Sequence, residues 1–122
     1  MGELFEKIKD VNAALESYHK AVSVGLPDTA SDAYHNIGYI YKQRRMYDKV
    51  RSMFNESLKI QENQSSPTMY LVAISHIELA EIEHWTNHRE KRDFHIEQAL
   101  IIADSNEKNR DFIRKRISFI LV

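Results

Sequence analysis

The sequence contains no cysteine, two prolines and three glycines among its 122 residues. The lack of cysteine excludes a disulfide framework and thiolate metal sites, and it is compatible with a reducing compartment, so we expect a cytoplasmic protein. The scarcity of glycine and proline argues against a sheet with frequent turns and favours a few helices joined by short loops. No apolar run approaches the roughly 20 residues of a membrane helix, so we expect no membrane partner.

The chain also lacks an excess of charge of either sign, because seventeen basic residues face eighteen acidic ones and the formal net charge is −1. Such a balance gives no long-range attraction to nucleic acid. Small basic clusters occur at 42–45, 89–92 and 114–116, but acidic residues interrupt or flank each of them. We therefore expect no nucleic-acid partner, and an RNA-binding helical repeat is a less favoured alternative.

Apolar residues recur at three- and four-residue steps along most of the chain, which predicts amphipathic helices in a single domain over residues 1–122. The clearest stripe, within 11–22, ends before Gly25 and Pro27. The stretch from Thr68 to Trp85 is apolar on more than one side, as in a helix packed between neighbours. We expect an all-α fold of about seven helices, the last at about 107–121.

Two segments match at a distance of 36 residues, since five positions reappear with every internal spacing kept. They are Gly2, Phe5, Ala14, Tyr18 and Ala21, followed by Gly38, Tyr41, Val50, Phe54 and Ser57. The second segment reads Tyr34-x2-Ile37-Gly38-x2-Tyr41 and then Val50-x3-Phe54, and it resembles the signature of the tetratricopeptide repeat. A degenerate third copy places Ala80 at the glycine position, 42 residues after Gly38, and departs from the signature at Glu83 and Arg92.

The resemblance implies a right-handed superhelical stack of antiparallel helix hairpins, with repeats at about 1–27, 28–66 and 67–105 before the terminal helix. It also implies that Gly38 allows the two helices of its repeat to approach closely. The stretched spacing is similar to that of bacterial peptide-sensing regulators and other signalling scaffolds. We expect the chain to be part of a longer regulatory protein, in which it is the sensory or interaction module.

In this family the first helix of each hairpin lines a concave groove that binds a protein or peptide. Carried over to this sequence, the principal groove residues are Asp32, His35, Tyr39, Lys42, Gln43, Glu81, His84 and Trp85. The same register adds Glu3, Glu6, Lys7, Ile74 and Ile77. Tyr39 or Trp85 would be the aromatic anchor of a bound peptide. Only Asn36 matches the basic clamp that grips chaperone tails, so we expect no chaperone-tail binding.

An alternative reading is a structural self-association module with no groove ligand, in which the terminal helices form a homodimer. The apolar stretch Phe119-Ile120-Leu121-Val122 is the sequence feature that favours it.

Three histidines, His84, His88 and His95, are spaced so that one helical face could in principle hold a metal ion. However, Trp85-Thr86-Asn87 is typical of a helix end, and neither cysteine nor aspartate completes a ligand set. The sequence contains no metalloprotease, nucleophile-elbow, phosphate-loop or EF-hand motif. We therefore expect no metal, no cofactor and no enzymatic activity.

Overall fold

The computed structural model describes the backbone of residues 2–121 and the side chains of residues 12–121. The described backbone forms six helices and no strands, which confirms the all-α prediction. The helices are α1 (Gly2–Val24), α2 (Pro27–Gln43), α3 (Tyr47–Glu62), α4 (Met69–Trp85), α5 (Arg89–Ser105) and α6 (Arg110–Ile120). The side chains of Glu3, Glu6 and Lys7, assigned above to the groove, lie outside the described residues.

The described helices number six where about seven were expected, because the segment read as a first hairpin is the single helix α1. In the second copy the chain turns at Arg44 and Arg45, and Arg45 has a positive φ of 57°. The matching residues of the first copy, Ile8 and Lys9, lie inside α1. No glycine or proline interrupts this helix after its first residue, so nothing in the sequence ends it before Gly25.

The remaining helices pack in adjacent pairs. Helices α2 and α3 form one hairpin, α4 and α5 form a second, and α6 packs against both α5 and α4. Helix α3 contacts α4, α1 covers α2, and α2 also touches α4 directly. This is the stacking expected of helical repeats, in which each hairpin buries the apolar surface of its neighbour.

The two hairpins turn in the same way, which supports their equivalence as repeats. In the first, the amide of Met46 donates to the carbonyl of Tyr41 at 3.0 Å, across Arg45 in the left-handed conformation. In the second, the amide of His88 donates to the carbonyl of Glu83 at 2.8 Å, across Asn87 with φ 63°. Both are Schellman motifs. They lie 42 residues apart, the same step that separates Gly38 from Ala80.

The side chains of residues 12–121 form two apolar core clusters, and α4 contributes to both. The first joins α3 to α4 through Val50, Phe54, Leu58, Leu79 and Ile82. The second joins α4, α5 and α6 through Ala73, Ile77, Ala80, Ile96, Ala99, Ile102, Ala103, Ile113, Ile117 and Ile120. The prediction that the helix from Thr68 to Trp85 is packed between neighbours is therefore confirmed.

Gly38 lies where α2 and α3 approach each other most closely. A Cβ atom at this position would lie 2.7 Å from Cε2 of the Phe54 ring, which is fully buried. Only a residue without a side chain allows this contact. The prediction that Gly38 permits close packing of the hairpin is confirmed.

Candidate functional site

Helices α2, α4 and α6 lie side by side, because each alternates with a partner helix on the other side of the stack. Direct contacts join α2 to α4 and α4 to α6. We call the surface that they share the α2–α4–α6 face. All the principal groove residues predicted from the sequence belong to α2 or α4, and α6 adds a third helix that the sequence analysis had treated only as a terminal element.

One half of the α2–α4–α6 face is aromatic. Tyr70 and Phe112, on α4 and α6, are both more than two-fifths exposed, and their ring centroids lie 6.2 Å apart. Beside Tyr70, a depression of about 330 Å³ lies between α2 and α4. It is lined by Asp32, His35, Asn36, Tyr39, Tyr70, Leu71 and Ile74. The predicted groove residues Asp32 and Tyr39 thus share one concavity with Tyr70.

His35 is buried, although the groove assignment required it to be exposed. Its Nε2 lies 2.9 Å from the Ser57 hydroxyl and 2.8 Å from the Ser75 hydroxyl, so the imidazole links α2 to both α3 and α4. Burial lowers the pKa of His35 to about 4, against a smaller opposing effect of Glu78. His35 therefore stabilises the helix stack as a neutral group and presents only its edge to the depression.

Tyr39 has two roles in the structure. Its ring packs edge-on against Phe54, with centroids 5.6 Å apart, at the margin of the first core cluster. Burial raises the pKa of its hydroxyl to about 12, and the nearby Glu78 carboxylate adds to the effect. Since Tyr39 contributes to the core as well as to the depression, its removal would lower stability as well as any binding.

The other half of the face is charged and internally paired. Lys42 Nζ lies 2.9 Å from a Glu78 oxygen and 2.7 Å from a Glu81 oxygen. From the other side, Arg116 Nη2 lies 2.7 Å from the second oxygen of Glu78 and 3.6 Å from Glu81. Burial alone would lower the pKa of Lys42, but the two carboxylates outweigh it and raise the pKa above its ordinary value. The four charges join α2, α4 and α6 and sum to zero.

The remaining predicted residues lie near the carboxyl ends of α2 and α4. Gln43 is exposed, and Trp85 is about half exposed with its ring centroid 5.6 Å from that of Tyr47. Lys42 Nζ lies 5.5 Å from the centre of the Trp85 ring, a cation–π distance. His84 pairs instead with Arg92 of α5, through contact of its Nδ1 with an Arg92 nitrogen at 3.0 Å. His84 thus engages α5.

The two departures from the repeat signature, Glu83 and Arg92, take part in polar contacts. Glu83 is buried and accepts hydrogen bonds from Arg51 Nε at 3.0 Å and Nη2 at 2.7 Å. Burial alone would raise the pKa of Glu83, but Arg51 and His88 outweigh it and hold the pKa below its ordinary value. A charged pair therefore joins α3 to α4 where the signature has a tyrosine.

The three histidines considered as metal ligands have separate partners. His84 contacts Arg92, His88 Nδ1 lies 3.2 Å from a Glu83 oxygen, and His95 Nδ1 lies 2.9 Å from Nδ1 of His76. Among the side chains of residues 12–121, no group of three or more potential ligands is arranged to hold a metal ion.

Sequence reasoning missed Tyr70, Glu78, Phe112 and Arg116 as residues of the face. Arg116 had been considered only as part of the basic cluster at 114–116. Its pairing with Glu78 connects residues 38 positions apart, which no local spacing reveals. The exposed aromatic Phe112 could have been found by treating α6 as the first helix of a further hairpin.

None of the helices within residues 2–121 is long and apolar enough to cross a membrane. In comparisons with known proteins, a family model described as a tetratricopeptide repeat matches residues 31–64, which begin within α2 and end just after α3. Neither the curated proteins nor the solved structures gave a match. The matched segment contains the Tyr34, Gly38 and Phe54 positions on which the resemblance depended. The segment 31–64 is therefore a tetratricopeptide repeat.

Proposed function

We propose that the chain binds a protein or peptide segment on the α2–α4–α6 face, as the interaction module of a larger regulatory protein. Tetratricopeptide repeats generally mediate protein–protein interaction and are non-catalytic scaffolds. The observation that carries the proposal is the pair of exposed rings, Tyr70 and Phe112, beside the depression. Exposed aromatic side chains next to a concavity are the usual anchors of peptide recognition. The lack of cysteine supports a cytoplasmic setting.

Charged partners fit this face poorly along its paired half. Lys42 and Arg116 are already bound to the Glu78 and Glu81 carboxylates, so a bound acidic tail would have to displace buried partners. The remaining recognition surface is aromatic. Nucleic acid is disfavoured for the same reason, because two of the three basic clusters in the sequence contribute a cation to this network.

A peptide-display selection against the immobilised protein tests the proposal. Phe112→Ala should lower the affinity for selected peptides about tenfold or more, since a peptide anchor of this kind is worth over 1 kcal/mol. Phe94→Ala is the matched control, because Phe94 is similarly exposed, 53% against 41%, and lies on α5, outside the face. Failure to select any peptide, or equal losses in the two variants, would contradict the proposal.

The second candidate is self-association through α6. Phe119 and Leu121 are both more than half exposed at the end of this helix, which favours it. Light scattering across a concentration series should then show a dimer that Phe119→Ser abolishes. Ile120 is unsuitable for the test, since it is buried in the second core cluster. A monomer at all concentrations would exclude this candidate.

A further inference from the structure

The depression beside Tyr70 has chemical features that restrict what it can bind. Its lining includes the buried apolar residues Leu71 and Ile74 and two phenol rings, those of Tyr39 and Tyr70. Asp32 is exposed and also lines it. A volume of about 330 Å³ is at the lower limit of small-ligand pockets. The depression therefore suits one long side chain better than an extended segment.

The charged side chains around the depression differ in whether they form ion pairs. None of the ion pairs among the side chains of residues 12–121 involves Asp32. By contrast, both cations of the face, Lys42 and Arg116, are bound to carboxylates of α4. A cation entering the depression would meet the Asp32 carboxylate, which forms no ion pair with the side chains of residues 12–121, whereas an anion would be repelled by Asp32. The described cations of the face, Lys42 and Arg116, are already paired.

We propose that the depression binds the side chain of an arginine or lysine of the partner peptide, and this inference rests on the proposed function. The aliphatic stem would lie against Leu71, Ile74 and the tyrosine rings, and the cationic head would reach the Asp32 carboxylate. Long basic side chains bury their stems in this way and keep the charged head near water. Electron-rich ring faces add a further attraction for the cation. The face would then be specific for peptides that carry a basic residue for the depression and, near it, an apolar residue that contacts Phe112.

Side-chain probes test the inference without knowledge of the partner. The amide resonances of the full ¹⁵N-labelled chain would be followed by NMR during titration with N-acetyl-arginine methylamide. The norleucine and glutamate analogues serve as an apolar and an acidic comparison. We expect the arginine probe to shift Asp32, Asn36 and Tyr70 and to bind about fivefold or more tightly than norleucine. Asp32→Asn should remove that difference.

Glu97→Gln is the control substitution, because Glu97 is exposed on α5 and forms no ion pair among the described side chains. It should leave the preference for arginine unchanged. Equal binding of norleucine and arginine, or stronger binding of glutamate, would overturn the inference. So would a lack of shifts with any probe. If display peptides still bind in a Phe112-dependent manner, the proposed function survives that failure, and if no peptide binds either, both fall.

Discussion

Replacing Gly38 by alanine tests the packing on which the repeat depends. The added methyl group would lie 2.7 Å from Cε2 and 3.0 Å from Cζ of Phe54. Carbon atoms normally approach no closer than about 3.5 Å, so either the ring or the helix must move. The ring is fully buried and also contacts His35 and Tyr39, so it has little freedom to withdraw.

The expected change in the unfolding free energy is the difference between two opposing effects. Forcing an extra methyl group into a filled core costs about 1–3 kcal/mol. Alanine is a better helix former than glycine in a helix interior by roughly 0.5–1 kcal/mol. Since Gly38 lies in the middle of α2, both effects apply, and we expect a net destabilisation of about 1 kcal/mol.

Urea unfolding followed by circular dichroism measures this difference, provided that the dependence on urea is unchanged. Phe54→Leu supplies the matched background, because it removes the ring atoms that the methyl group would meet. We expect Gly38→Ala to be neutral or stabilising in that background, with a coupling free energy of at least about 0.5 kcal/mol. If Gly38→Ala stabilises the wild type as much as the Phe54→Leu variant, the close approach of α2 to α3 is refuted.

Two further predictions concern buried polar groups. Burial lowers the pKa values of His35 and His76 to about 4. As the pH falls, these two histidines are therefore protonated in the unfolded chain at a higher pH than in the folded chain. Their contribution to stability is present above pH 6.5 and is lost as the pH falls towards 4, by about 2 kcal/mol for each at pH 5. Urea midpoints at pH 7.5 and pH 5 should show this fall, and His35→Gln should reduce it. Arg51→Ala should lower stability by about 2–3 kcal/mol, because buried Glu83 loses its main partner. Arg114→Ala, which breaks an exposed pair, should change the unfolding free energy little.

The sequence predicted those features of the fold that depend on local periodicity. The all-round apolar character of residues 68–85 predicted a sandwiched helix, and the structure places α4 between two clusters. The resemblance to the repeat implied a close approach of two helices at Gly38, which is where the structure has the Phe54 ring. The prediction of a first hairpin from the repeat register was wrong, because matching positions do not create a turn and α1 continues through Ile8 and Lys9.

The candidate site was less predictable, for reasons of geometry. His35 was assigned to the groove by register, but it lies three residues before Gly38 and therefore on the same face of the helix. That face packs on α3, so the imidazole is buried against Phe54. The partners of Glu78 and Glu83 lie on other helices. Pairings of this kind depend on the distance between stacked helices. That distance cannot be inferred from the apolar periodicity of a single helix.

The buried network at Glu78 also affects how recognition can evolve on the α2–α4–α6 face. Glu78 receives one cation from α2 and one from α6, so removing either leaves a buried carboxylate partly unpaired. The charged half is thereby constrained by folding, and its side chains cannot vary freely to suit a partner. The exposed side chains of Asp32, Tyr70 and Phe112 do not pair with a buried charge, so folding constrains them less. Differences in specificity between related chains should therefore concentrate in the aromatic half, where substitution changes binding without breaking the stack.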